Sequence, residues 1–341
     1  MITYTFWKFI GRNMSTLRDP YQYTLKKDIS CCGVGLHSGR TVTLTLKPAP
    51  VNSGVRFFRV DLPTVAPVQA HVDKVIDTRL ATTIGNRSLQ ISTTEHLLAA
   101  LRGFGIDNVD VELDAKEVPI MDGSAGPFIH LLKKSGRKKQ KGLRKVLRIT
   151  RKITYSSGNK KISLLPYEGF KVSGKIDFDD ALIRKQSFEI DITPEKFIKE
   201  IANARTFGYV EQVEELWANG LALGGTLESV IAIHWNRKTV LNEDGLRFEN
   251  EFIRHKVLDI VGDLALLGCP VQGHVIADKT GHTEHLAFMK AVCRARDCWE
   301  LIELKENGAS AVLKDMVSST KAAGEILMPL FNRHQDTVVM A

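Results

Sequence analysis

The chain has 341 residues, with 47 Lys and Arg against 39 Asp and Glu, a net charge of +8 and a pI near 9.1. That length is too great for one small core and suggests two domains, while the charge favours anionic partners such as nucleic acid, acidic lipid head groups or a phosphorylated small molecule. No run approaches the eighteen or so uncharged apolar residues of a spanning helix, and the five cysteines (Cys31, Cys32, Cys269, Cys293, Cys298) form no C-x-x-C pair, so neither a disulfide framework nor a thiolate zinc knuckle is indicated and mostly buried, reduced thiols are expected.

Residues 1–20 show no convincing period and read as an N-terminal extension. Its start, MITYTFWKFIGRN, is broken by Lys8 and lacks an A-x-A cleavage site, which argues against a secretory signal and for the cytoplasm. From Thr24 strands follow: TVTLTLKP alternates from Thr41, VRFFRV comes after the turn Asn52-Ser53-Gly54, and SLQIS precedes a helix. That helix begins at Thr94-Glu95-His96 and is expected to close at Gly103 and Gly105. A strand NVDVELD and the loop EVPIMDGSAGP lead to a second helix, PFIHLLKKSG, with Pro127 suited to its first turn.

The run KKSGRKKQKGLRK, Lys133 to Lys145, has little aromatic interleaving for base stacking and reads as a solvated basic linker. Beyond it the same order returns, with strands in VLRITRKITY, KISLLP, FKVSGKIDFD and FEIDI and a short helix in PEKFIKEI. Next come an amphipathic segment, YVEQVEELWANG, and the turn Gly224-Gly225. A long helix, the strand PVQGHVIAD and a final helix from Thr283 to Leu301 complete this half, and a tail from Lys305 holds one apolar stretch, ILMPLF. The expected class is α+β: two pseudo-duplicated layers of similar design.

Chemistry concentrates on the long helix, NEFIRHKVLDIVGDLALL from Asn250 to Leu267. Phe252, Ile253, Val257, Ile260, Val261 and Leu264 make an apolar stripe and one buried face. On another stripe His255, Asp259 and Asp263 lie four apart, which puts His255 and Asp259 within reach of one metal ion. A solvated face with an ion pair is the competing reading of that helix alone. His96 follows Glu95 at a helix start, and His282 follows Thr280-Gly281 on a loop. The other histidines, His285 among them, read as surface, core or substrate-adjacent. Two imidazoles and a carboxylate leave zinc a fourth position for water, as in a catalytic site. Glu95 projects about 100° around the helix from His96, so it can flank a metal and take a proton from water instead of binding.

The segments STTEHLLAALRGFGIDN, VPIMDGSAGPF, ARTFGYV, GLALGG, VLNEDGLRFENEFIRHKVLDIVGDLALLG and KTGH, in this order, closely resemble the UDP-3-O-acyl-N-acetylglucosamine deacetylase family, the zinc amidases at the committed step of lipid A synthesis in Gram-negative bacteria. The resemblance runs from Thr24 to Arg296. It implies His96, His255 and Asp259 as zinc ligands, with Fe2+ the other metal to consider in the cell, and Glu95 as general base. His282 matches a catalytic histidine held by the carboxylate that Asp263 matches, and Thr206 a threonine that helps polarise the acetamide carbonyl. Phe207 and Lys256 match substrate-contacting residues, and Lys279 one near the diphosphate.

The family implies two β-α-α-β two-layer domains packed face to face, here 21–132 and 146–304, each with a small insert. The second insert, β-α-β at 207–233, would form an apolar passage for the acyl chain, lined by Val213, Leu227 and Val230. Implied with it are a monomer in the cytoplasm, UDP-3-O-acyl-N-acetylglucosamine as substrate, no nucleic-acid partner and a transient membrane-surface association. Gln212 stands where the family commonly has an acidic residue, and residues 1–20, the basic run and 305–341 depart from the family pattern. Another metal-dependent amidase and a basic nucleic-acid-binding module remain the alternatives.

Overall fold

The structure, a computed structural model, describes residues 19–305 except 87, together with the backbone of 310–312. The stretch ILMPLF and most of the N-terminal extension lie outside the described residues. The first half is built on a five-stranded sheet in the order Ile29–Val34, Thr41–Pro48, Val109–Leu113, Val55–Arg59, Val68–Gln69. Thr41–Pro48 shows why it forms: Val42, Leu44 and Leu46 point into the core while Thr43 and Thr45 do not, the period-two pattern of a half-buried strand. Val55–Arg59 and Val109–Leu113 are parallel, so the chain between them must cross over. It does so through a small three-stranded sheet (Val75–Asp77, Thr83–Gly85, Gln90–Ile91) and α1 (Glu95–Phe104), and α2 (Gly126–Ser135) follows the last strand.

The second half repeats this plan. Its central strand Val271–Asp278 pairs antiparallel with Lys160–Leu165 and parallel with Phe170–Asp177. The crossover between the parallel pair holds α3 (Pro194–Glu200), α4 (Val213–Ala218) and α5 (Glu251–Leu264), and α6 (His282–Arg294) follows the central strand. α1 and α5 thus occupy equivalent places in the two halves, each in the crossover between a pair of parallel strands, and they pack on each other. Gly262 permits it: a Cβ there would run into the Glu95 backbone carbonyl. Between positions 207 and 233 lies a β-α-β unit of parallel strands Phe207–Tyr209 and Ile231–Ile233 around α4. Its strands join Phe252 and Ile253 of α5 in a small second core, whereas Trp217, Leu223 and Leu227 are exposed.

Several expectations need correction. The basic run is no solvated linker: Arg137–Leu143 is a strand paired antiparallel with Tyr21–Leu25. Lys139 lies 3.4 Å from the Tyr21 ring centre and Arg137 4.3 Å from that of Tyr23, so aromatic faces on the partner strand accommodate the charges. The last helix stops at Arg294, not Leu301. Trp299–Leu304 instead forms a strand against Lys145–Ile149, anchored by Trp299 Nε1 donating to the Val292 carbonyl at 2.8 Å. Gly103 lies within α1 and does not end it, because it lets the Phe197 ring approach; Gly105, with φ 81°, is the stop. Of the five free cysteines only Cys293 is buried and Cys32 is exposed. Finally, α5 has more than one buried face. Apart from Arg254 and Lys256 all its residues are buried, the polar stripe included, because α1 lies on one side and the second sheet on the other, where Gly174 meets Ile253 and Val257.

Gly262→Ala is expected to destabilise the fold by about 1–3 kcal/mol through overpacking of the α1–α5 crossing. Urea unfolding measures it, and unchanged stability would show that the helices can separate without cost.

Candidate metal centre

His96 stands in the first turn of α1, held by a strained approach. Thr93 has φ 58°, unusual for a β-branched residue and costing on the order of 1–3 kcal/mol. Its hydroxyl donates to Glu117 at 2.9 Å, and the Thr94 hydroxyl donates to the Thr82 carbonyl at 3.1 Å. From the facing helix His255 and Asp259, one turn apart, meet it. His96 Nε2 lies 3.6 Å and His255 Nε2 3.4 Å from Asp259 Oδ1, and the two rings are near perpendicular. Relative exposures are 4 %, 2 % and 2 %.

Asp259 Oδ1 is buried and accepts no hydrogen bond, a condition that costs about 1–3 kcal/mol, more for a charged group, unless a cation satisfies it. The other carboxylate oxygen accepts from Lys256 Nζ at 3.1 Å. His255 Nδ1 donates to the Ala204 carbonyl at 3.0 Å, which turns the lone pair of Nε2 toward Asp259, the tautomer a metal-binding imidazole adopts. Burial drives the His255 pKa down to about 3, against the pull of Asp259, so the ring is neutral. Burial opposes the Asp259 charge, but His255 and Lys256 beside it hold the carboxyl well below its usual range. A neutral imidazole and an anionic carboxylate are the protonation states that metal binding requires. Tetrahedral ligands on zinc–nitrogen bonds stand roughly 3.3 Å apart, close to the spacings here. The cluster fits a divalent ion.

The match to the family model of UDP-3-O-acyl N-acetylglycosamine deacetylase spans residues 22–294. A curated relative from Teredinibacter turnerae, named UDP-3-O-acyl-N-acetylglucosamine deacetylase, is 43 % identical over 293 residues, covering 85 % of this chain and 96 % of its own length.

The chain belongs to this family of deacetylases.

The family is one of metal-dependent hydrolases, and in this member a second group adjoins the His/His/Asp cluster. Glu95 Oε2 accepts from the Thr82 backbone N–H at 3.1 Å, while Oε1 lies 3.8 Å from His282 Nε2. Burial raises the Glu95 pKa, partly offset by His282 and His96. His282 moves up to about 10: burial works against its charge, but Asp263, Glu95 and Asp259 outweigh it, so the ring is a cation at neutral pH. Asp263 is the hub. Its Oδ2 accepts from His282 Nδ1 and His285 Nδ1, both at 2.7 Å, and its Oδ1 from the Thr82 hydroxyl at 2.6 Å. Asp263, His282 and His285 also have metal-ligand proximity, but both oxygens of this carboxylate are satisfied by hydrogen bonds, unlike Asp259 Oδ1.

Phe207 lies beside the cluster, its ring centre 6.4 Å from that of His255 and 5.4 Å from Lys256 Nζ. Thr206 follows the Ala204–Arg205 segment and is held by its backbone, donating to Gly123 O and accepting from Ile231 N, each at 2.8 Å. Lys279 stands on the loop before α6, with Nζ 3.5 Å from Asp177, and is not drawn into the cluster. Val213, Leu227 and Val230 stand on the insert; Leu227 is exposed and the other two half-buried. Sequence reasoning missed Thr82 and His285. Thr82 lies in the motif-free stretch TRLATT, and His285 carried only the signal of sitting three residues after His282 on a helix.

Thr82→Val would leave Asp263 short of a buried donor and loosen its hold on His282, while Glu95 keeps the backbone N–H of residue 82. The expected result is a fall in kcat of about tenfold or more, since a hydrogen bond to a charged group is worth roughly 1.5–3 kcal/mol, with KM and metal content little changed. An unchanged kcat would show that the Thr82 hydroxyl has no part in holding Asp263.

Proposed function

We propose that the protein hydrolyses the N-acetyl group of UDP-3-O-acyl-N-acetylglucosamine, releasing acetate and the free amine, with zinc held by His96, His255 and Asp259. The observation that carries this reading is the buried, unsatisfied Asp259 Oδ1 between two imidazole nitrogens in a chain of the deacetylase family. A zinc ion there would polarise the acetamide carbonyl and lower the pKa of water, as ferrous iron in the same ligands also could.

Glu95 accepts the proton of the attacking water. Its raised pKa makes it a better base than an exposed carboxylate, and the cationic His282 nearby keeps it ionised. The carbonyl oxygen gains negative charge as the carbon becomes tetrahedral, and two groups compensate it: the Thr206 hydroxyl and the His282 cation. His282 Nε2–H is the donor free for this work, because Nδ1–H is taken by Asp263. The amine must leave protonated, and His282 or Glu95 returns the proton. Phe207 and Lys256 contact the sugar, Lys279 approaches the diphosphate, and Val213, Leu227 and Val230 line the acyl passage on the insert. The acyl substrate accounts for apolar side chains left exposed there. We place the enzyme in the cytoplasm as a monomer with domains at 21–132 and 146–304, meeting the membrane surface only transiently.

Three outcomes are expected. Chelation abolishes acetate release from the acylated UDP-sugar and one equivalent of zinc restores it; full activity without metal contradicts the reading. Glu95→Gln lowers kcat by about 10²–10⁴-fold, the usual worth of a general base, while retaining metal; a small effect would exclude Glu95 as the base. The third concerns pH. His282 is charged below its pKa of about 10, so activity falls as pH rises through that value. Because Asp263 favours the charged form, Asp263→Asn should shift this alkaline limb toward neutral pH. A limb that stays in place would show that another group titrates.

A further inference from the structure

A cavity of about 490 Å³ opens beside the last turn of α1, roughly 10 Å along the helix axis from Glu95. Both halves form its wall: His71, Arg102 and Asn108 come from the first, Lys145, Cys269 and Leu301 from the second. Its volume falls in the range of small-molecule sites, and none of the proposed catalytic residues lines it.

Three groups in this wall lack partners. The Arg102 side chain, half-buried near the end of α1, makes no hydrogen bond or ion pair among the described residues, and burial pushes its pKa down. Asp107, whose charge it feels, is gripped by Arg144 through Nε at 2.8 Å and Nη2 at 2.7 Å. Lys145, also half-buried, likewise has no ion pair among the described residues. His71 is 7 % exposed, and its ring is tied through Nδ1 to Asp73, leaving Nε2 buried without a hydrogen-bond partner. An unpaired buried donor or acceptor costs stability unless a ligand or water meets it.

The charges show what kind of ligand fits. The wall carries four cations (Lys74, Arg102, Arg144, Lys145) and two carboxylates (Asp73, Asp107). Arg144 neutralises Asp107, and Lys74, 3.5 Å from Asp73, offsets the other. The surplus of two is Arg102 and Lys145, one on each half. We infer that this cavity binds the phosphate group of a small anion, with Arg102 and Lys145 closing on it from opposite halves. A guanidinium and an ammonium sharing one dianion is an ordinary phosphate arrangement. Because the two cations belong to different halves, occupancy ties the halves together and stabilises the folded chain by mass action.

The test is thermal unfolding of the metal-loaded enzyme titrated with inorganic phosphate, ionic strength being held constant with chloride. The midpoint should rise saturably, and it should rise equally in chelated protein, because this site is separate from the metal centre. Lys145→Gln should weaken apparent affinity about tenfold, the loss of one charged hydrogen bond. Arg102→Gln combined with Lys145→Gln should abolish the rise, with kcat in the absence of phosphate unchanged. Glycerol phosphate in a parallel titration tells free phosphate from a phosphomonoester: a rise with both makes the ester the ligand class, and a rise with phosphate alone makes it the free ion. No rise, a rise only when metal is bound, or an equal rise in the double variant would overturn the inference.

Discussion

Asp259 Oδ1 is a carboxylate oxygen sealed in the interior with two imidazole nitrogens facing it and no proton donor of its own. Such an arrangement is costly in a dry core, and the surroundings sharpen the cost. His255 is locked by the Ala204 carbonyl into the tautomer whose free nitrogen points at the oxygen, and burial keeps that ring neutral. Nothing among the described side chains resolves the conflict, but a divalent cation would. The rest of the architecture serves to hold this cluster. Its ligands come from two helices in equivalent places of the two halves, and these meet only because Gly262 has no side chain to keep the Glu95 carbonyl away.

The same crossing positions the residues proposed to move protons. Glu95, one residue before His96, is carried by α1 to the flank of the cluster, and Asp263, one turn after Asp259, is carried by α5 to the neighbouring side. Between them stands His282 at the start of α6, its Nδ1–H bonded to Asp263 and its Nε2 toward Glu95. Thr82, from the small sheet of the first half, touches both carboxylates, donating from its backbone to Glu95 and from its hydroxyl to Asp263. Glu95 and Asp263 are therefore linked through one buried threonine. Asp263 with three donors and Asp259 with an orphaned oxygen are two buried carboxylates on one helix; the hydrogen-bond count alone separates their roles.

Much of this was legible in the chain. The period-two run from Thr41 and the spacing of His255, Asp259 and Asp263 survive folding unchanged, because local periodicity reports directly on which face a side chain takes. What escaped depends on distant partners. Arg137–Leu143 looks like a solvated basic run until Tyr21 and Tyr23 are placed opposite it. Trp299–Leu304 follows a helix with no glycine or proline to mark the break, and only the neighbouring strand Lys145–Ile149 makes it extended. On spacing alone the polar stripe of α5 reads more readily as a solvated face, since periodicity cannot say that a second helix covers it. Thr82 and His285 gave no local signal, because their roles exist only through Asp263.

Two imidazoles and one carboxylate are the proposed metal ligands. X-ray absorption at the zinc edge of the loaded enzyme tests this ligand set most directly. Two imidazole nitrogens are expected, with the remaining positions filled by oxygen, at bond lengths of about 2.0–2.2 Å, and no sulfur. His96→Ala should remove one imidazole from the spectrum. A sulfur ligand, or a spectrum indifferent to that substitution, would contradict this ligand set.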